Sequence, residues 1–220
     1  HLPRDRAGEP GDVRSDIPLI AVSTGAADTL HCVLRKIGID DDEFSNPNGN
    51  GRVRVYQDNG AKLSSTTPPA TSLYGSSIEL DDYDMVLFEC VGERQPKEDV
   101  DQKRVITYAN AGGRVFATHF SYVWLTDSDG TAGSNTGPRP FSQTASWSVD
   151  QAQADTATGL VDVSLQGDPA TRTRRLAFSD WLQIVGASTV PGQIPVDVVR
   201  KDFDAVSTIA ATAAGTPAQQ

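Results

Sequence analysis

Strand-length apolar runs alternate with helix-spaced segments through the first half of the chain, and this alternation restricts the fold more than any other feature. The predicted strands are 17–22, 52–57, 84–90 and 114–118. Helical patterns follow the first and third of these runs, and Gly38 and Gly112 stand where helices commonly end. Strands that alternate with helices form parallel sheets through right-handed crossovers. We therefore predict an α/β fold with a parallel sheet flanked by helices.

The second half of the chain is less regular. Asp168 followed by Pro169 is typical of a helix start, and apolar spacing carries that helix to about Val185. Further strands are predicted at 196–199 and 205–209. We expect an extended polar arm over 1–16, a single α/β domain over 17–210 and a flexible tail over 211–220. Because the first residue is His rather than Met, we also expect the chain to derive from a longer precursor.

The charge balance excludes two classes of partner. The 220 residues carry 19 basic and 29 acidic side chains, a formal net charge of −10. Nucleic acids and anionic membranes select for basic surfaces, so we predict no nucleic-acid partner. No apolar run approaches the about 18 residues of a membrane-spanning helix, so we predict no span. The Ser-, Thr-, Ala- and Gly-rich composition favours an exported protein: extracellular, periplasmic or at the cell surface.

Polar residues follow three of the predicted strands. In open parallel sheets, ligands bind outside the carboxyl ends of the strands, where such segments converge. The candidate catalytic residues are His119, Cys90, Asp28 and Glu93, and the candidate binding residues are Ser23, Thr24, Gly25, Ser121 and Tyr122. We expect Phe116 and Ala117 to be buried and His119 to lie at the mouth of the sheet. No phosphate-binding or dinucleotide-binding glycine motif occurs, and we predict no cofactor.

Two segments of the chain resemble a known superfamily. They are Tyr83-Asp84-Met85-Val86-Leu87-Phe88 and the stretch from Val105 to His119, in which Ala111-Gly112-Gly113 leads into a strand that ends on His. Over about 17–125 the chain resembles the class I glutamine-amidotransferase-like superfamily, and most of all its ThuA-like branch. It also resembles uncharacterised exported proteins of proteobacteria and myxobacteria. The resemblance implies a flavodoxin-like arrangement of the sheet.

The chain departs from this superfamily at the nucleophile. Those enzymes carry a Cys in a Gly-x-Cys-x-Gly elbow after the strand, where this sequence has His119 between Thr118 and Phe120. A Cys–His–Glu triad and glutaminase activity are therefore not expected. We expect a non-catalytic binding or assembly module, whose partner is another copy of the chain or another segment of a longer precursor. The alternative is a hydrolase acting on sugar- or peptide-like material, using His119 with a nearby carboxylate or Cys90.

Several residues allow more than one interpretation. Cys32 and Cys90 could form a disulfide, be two inert thiols or include a reactive one, and an exported location favours the disulfide. His31 is expected to be solvated. The acidic segments 40–43 and 127–130 are interpreted as solvated loops, with calcium binding as the alternative. A copper site at His1 would need a second His on a β-sandwich, so we predict no metal.

Overall fold

The computed structural model describes residues 17–125, 145–149, 151, 153–164, 168–197, 199 and 201–206. The chain divides into two compact units, one made of His1–Val149 with Asp202–Gln220 and the other of Asp150–Lys201. The predicted arm and tail, His1 and the acidic segment 127–130 lie outside the described residues. Within the described residues, no helix is both long and apolar enough to cross a membrane.

The first unit is built on a parallel sheet. Its elements are β1 (Ile20–Thr24), α1 (Leu30–Lys36), β2 (Phe44–Ser45), β3 (Val53–Gln57), α2 (Ala70–Tyr74), α3 (Ser77–Asp81), β4 (Met85–Phe88), α4 (Asp99–Asn110) and β5 (Arg114–Ala117), with 3-10 turns at Asp41–Glu43 and His119–Trp124. The five strands lie in the order β2-β3-β1-β4-β5, and every neighbouring pair is parallel. The predicted flavodoxin-like α/β sheet is therefore confirmed. A short antiparallel pair, β6 (Ala145–Trp147) and β9 (Phe203–Val206), belongs to the same unit.

Helices cover the central strands, so that β1 is buried along its whole length. The larger core lies on one face of the sheet and includes Tyr56, Leu73, Leu80 and Phe88. In this core the Trp124 ring stacks on the Phe88 ring, with centroids 4.4 Å apart. The other face packs a smaller cluster made of Ile20, Val22, Phe44, Val53 and Leu87. Burial of both faces accounts for the continuous apolar runs of β1 and β4, since parallel strands lie between helices.

The edge position of β5 contradicts one prediction. Phe116 is 54% exposed and Ala117 is only half-buried, because β5 pairs with β4 alone within the described part of the chain. The predicted helix ends are correct: Gly38 and Gly112 have φ of 108° and 105°, a conformation that favours glycine. The segment 59–79, between β3 and β4, contains α2 and the start of α3.

The second unit contains β7 (Thr156–Leu160), α5 (Pro169–Ile184) and β8 (Gln193–Asp197). The strands β7 and β8 are antiparallel. The predicted start of α5 is confirmed, since Pro169 is its first residue and the Asp168 side chain accepts a hydrogen bond of 3.0 Å from the Thr171 N–H. This bond satisfies one of the free N–H groups of the first turn.

Candidate functional site

A thiol and an imidazole meet at the carboxyl edge of the sheet. Cys90 follows β4 and His119 follows β5, and these neighbouring parallel strands end at the same edge. The Cys90 Sγ atom lies 2.8 Å from His119 Nδ1. The backbone N–H of Gly92 also points at the sulfur, at 3.4 Å. The structure therefore brings together two of the predicted catalytic residues, and His119 lies at the mouth of the sheet as predicted.

The Asp28 carboxylate connects both of these strand ends to the turn after β1. Its Oδ1 atom accepts a hydrogen bond of 2.8 Å from the Cys90 N–H, and its Oδ2 atom accepts one from the Thr118 hydroxyl. Thr118 is the residue directly before His119. A third predicted catalytic residue therefore holds the backbone at Cys90 and the side chain of Thr118, next to the thiol–imidazole pair.

His119 has a strained backbone. Its φ is 45°, and it is the one non-glycine residue with positive φ in the described ranges. Such a conformation costs on the order of 1–3 kcal/mol and persists where the surroundings enforce it, commonly at functional sites. A sharp, strained turn directly after a strand is also the geometry that exposes the nucleophile in hydrolase elbows. Here that turn presents an imidazole, and no flanking glycine signalled it in the sequence.

Glu89 is a buried acid that the sequence analysis missed. The residue is 1% exposed and lies between β4 and Cys90. Its Oε2 atom accepts a hydrogen bond of 2.9 Å from Gly25 N–H, and Oε1 accepts bonds of 2.8 and 2.7 Å from the N–H and Nδ1 of His31. The signal was a charged residue at the end of an otherwise apolar strand. The prediction that His31 is solvated is wrong, because the first turn of α1 directs it toward this carboxylate.

Gly25 allows two turns to approach closely. A Cβ atom at this position would lie 2.1 Å from the carbonyl oxygen of Cys90, so only glycine fits without backbone movement. Asn59, another residue missed in the sequence, connects the same two turns. Its Oδ1 accepts a bond of 3.0 Å from Ala26 N–H, and its Nδ2 donates one of 2.6 Å to Val91 C=O. The turns after β1, β3 and β4 are therefore joined directly at the site.

The remaining predicted site residues do not join this cluster. Glu93 is exposed and makes no hydrogen bond or ion pair within the described part of the chain. Ser23 and Thr24 are buried in β1, and the Thr24 hydroxyl donates to Ala61 C=O at 2.7 Å. Ser121 is buried and donates to Glu89 C=O at 3.2 Å, and Tyr122 is buried as well. These candidate binding residues therefore lie in the packed interior beside the site.

The expected disulfide is absent. Cys32 and Cys90 are both free thiols. Cys32 is half-buried on α1, whereas the Cys90 sulfur is directed at His119. The expectation was wrong because a position on the first helix and a position at a strand end do not determine which groups the two side chains face.

A buried cation lies at the same edge of the sheet. Lys97 Nζ is 3.7 Å from Asp58 Oδ2 and contacts the faces of the Tyr74 and Trp124 rings. Burial lowers the pKa of the Lys97 ammonium, and the nearby Asp58 carboxylate opposes that shift.

The described residues contain no group of three or more His, Cys, Asp or Glu side chains suited to hold a metal. In the acidic segment 40–43, Asp41 pairs with Arg35 and Glu43 accepts from Arg52 N–H.

The chain is an α/β protein whose parallel sheet carries a Cys–His pair at its carboxyl edge. No family model, curated protein or solved structure matches it.

Proposed function

We propose that this protein is an exported thiol-dependent hydrolase in which Cys90 is the nucleophile and His119 the base. The observation that carries the proposal is the 2.8 Å distance between Cys90 Sγ and His119 Nδ1. A nucleophile within hydrogen-bond reach of a base that is itself held in place is the arrangement common to Cys–His enzymes. This geometry gives the hydrolase alternative more support than it had from the sequence.

The reaction that fits the pair is acyl transfer to sulfur. His119 takes the thiol proton, and the Cys90 sulfur attacks the carbonyl carbon of an ester or amide. His119 then returns the proton to the leaving alcohol or amine, which departs as a thioester forms. A water molecule, deprotonated by His119, hydrolyses the thioester and restores the thiol.

Two neighbouring groups support this chemistry. The Gly92 N–H, 3.4 Å from the sulfur, donates to it, and such a hydrogen bond stabilises the thiolate form that attacks the substrate. Asp28 holds the backbone at Cys90 and, through Thr118, the turn that carries His119. Asp28 is therefore a positioning residue, since it acts through the backbone of the two reacting residues.

One observation favours the second candidate, a non-catalytic binding or assembly module. Cys90 is 0% exposed, and Tyr122 and Trp124 are packed into the core below the site. His119, the partner of this thiol, is half-buried. The composition supports an exported location for either candidate. The substrate class that we propose for the hydrolase is sugar- or peptide-like material.

The test compares the two cysteines. Wild type, Cys90→Ser, His119→Gln and the matched control Cys32→Ser are assayed on acetylated sugars, peptide amides and activated esters. We expect Cys32→Ser to hydrolyse like wild type. General-base catalysis typically contributes about 10²–10⁴-fold, so Cys90→Ser and His119→Gln should each lose at least about 100-fold. Thermal unfolding of every variant shows whether a loss reflects chemistry or misfolding.

Two outcomes would count against the hydrolase. Turnover that survives in folded Cys90→Ser would exclude the sulfur as nucleophile. If wild type hydrolyses no substrate, and iodoacetamide modifies Cys32 but not Cys90 in the folded protein, the thiol is inaccessible and the binding module replaces the enzyme.

A further inference from the structure

A polar cavity lies over β3, formed by residues outside the Cys90–His119 cluster. It has a volume of about 330 Å³ and lies between the loop after β2 and the helices α2 and α3. That volume is at the lower end of the range of about 300–1,000 Å³ found for small-molecule sites. Glu79 from α3 and Tyr56 from β3 line the cavity, together with residues of the 46–48 and 66–72 segments.

The phenol protons of Tyr56, which lines the cavity, and of Tyr83, which contacts Tyr56, already have acceptors. The Tyr56 hydroxyl donates to Glu79 Oε1 at 2.5 Å, because an ionised carboxylate can only accept. Tyr83 lies 2.8 Å away and therefore donates its proton to the Tyr56 oxygen. Burial raises the pKa of both phenols, so both keep their protons at neutral pH. Neither tyrosine has a proton left for a ligand, and this end of the cavity accepts hydrogen bonds.

Glu79 brings an uncompensated negative charge. Its carboxylate is half-buried and forms no ion pair within the described residues. The nearby cation, Arg54, donates instead to Ser45 Oγ at 3.0 Å and Asn46 C=O at 3.2 Å. A partly buried carboxylate without a cation is unfavourable, and a positively charged ligand would relieve that cost.

The rim of the cavity offers neutral polar groups and small apolar surfaces. The Asn46 amide is occupied, since it bonds Ser64, Thr66 and Thr67 and so fixes the segment that carries Thr66. Asn48 and Ser72 are exposed, and their side chains form no hydrogen bond in the ranges that the structure describes. They can therefore bind hydroxyl groups of a ligand. Pro47 and Pro68 complete the lining and present C–H surfaces.

We propose that this cavity binds a small polyhydroxylated compound that carries an ammonium group, of the size of an amino sugar. The ammonium donates to the Glu79 carboxylate, hydroxyl groups bond Asn48 and Ser72, and the ring carbons pack on the two prolines. The site is separate from the Cys90–His119 pair, so the proposal does not depend on hydrolase activity.

The test uses two probes that differ at one position. Glucosamine and glucose are titrated into the full chain at about pH 6, where the glucosamine amine is protonated. Binding is followed by NMR or calorimetry. We expect glucosamine to bind at least about tenfold more tightly than glucose, since a charge-assisted hydrogen bond exceeds a neutral one. The Glu79→Gln variant should lose that preference, and 0.5 M salt should weaken it.

Asp81→Asn is the matched control, since it removes the same charge from the same helix outside the cavity lining. It should bind both sugars like wild type. Equal binding of glucosamine and glucose to wild type would overturn the proposal, as would a preference that survives in folded Glu79→Gln. The wild-type comparison stands even if a Glu79 variant fails to fold, and binding that persists in Cys90→Ser separates this site from the proposed hydrolase.

Discussion

Replacing Glu89 tests whether one buried carboxylate holds the turn after β1 and the helix α1 against the end of β4. Three donors point at it: the N–H groups of Gly25 and His31 and the His31 ring at Nδ1. The Glu89→Ala variant leaves all three in a site with 1% exposure. Each buried unsatisfied group costs about 1–3 kcal/mol. With three such groups we expect a loss of about 3–9 kcal/mol, a large part of the about 5–15 kcal/mol that stabilises a typical domain.

The Glu89→Gln variant keeps the size of the side chain and replaces one of its two acceptor oxygens by an NH₂ group. The amide oxygen of the variant can still accept both bonds from His31, but its NH₂ group then faces the Gly25 N–H. One donor is lost rather than three, so we expect a smaller loss of about 1–3 kcal/mol. Glu93→Gln is the control, because Glu93 is exposed, and most surface changes stay within about 0.5 kcal/mol.

The assay is urea unfolding followed by circular dichroism, with the free energy obtained by linear extrapolation. The expected order of stability is wild type and Glu93→Gln, then Glu89→Gln, then Glu89→Ala. If Glu89→Ala loses less than about 1 kcal/mol, or no more than Glu89→Gln, the three donors do not depend on this carboxylate. The argument for a carboxylate-organised site would then be refuted.

Two further predictions concern packing and pH. Gly25→Ala places a Cβ atom 2.1 Å from the carbonyl oxygen of Cys90. Because overpacking typically costs about 1–3 kcal/mol, the melting temperature of this variant should fall. An unchanged melting temperature would contradict the close approach of the two turns. Burial raises the pKa of Tyr74 and Tyr108 to about 12, and it also raises the pKa of Tyr56 and Tyr83. The unfolded chain loses these protons near pH 10 while the folded chain keeps them. Their stabilisation is therefore complete below about pH 10 and is lost as the pH rises from there through the folded pKa of about 12. Phenolate absorbance should therefore rise together with unfolding in an alkaline titration, and a rise from a still-folded protein would contradict the burial of these hydroxyls.

The candidate site was partly predictable. Cys90 and His119 each follow an apolar run of strand length, and parallel strands end at one edge, so both could be assigned to the site from the sequence. Glu89 and His31 could not, because a lone acid and a lone His give no local sign that they will form a pair. The expected disulfide was wrong for the same reason, because the sequence does not show which groups the side chains of Cys32 and Cys90 face.

Local patterns in the sequence determined the elements of this protein. The alternation of apolar runs and helical spacing, the glycines that end helices and the Asp168-Pro169 start of α5 act through backbone conformations and hydrogen bonds between near neighbours. Strand order, the exposed edge at β5, the strained turn at His119 and the contacts of Glu89 arise from segments far apart in the chain. Only the tertiary structure decided them, because each depends on which surfaces are left to pack after the strands have paired.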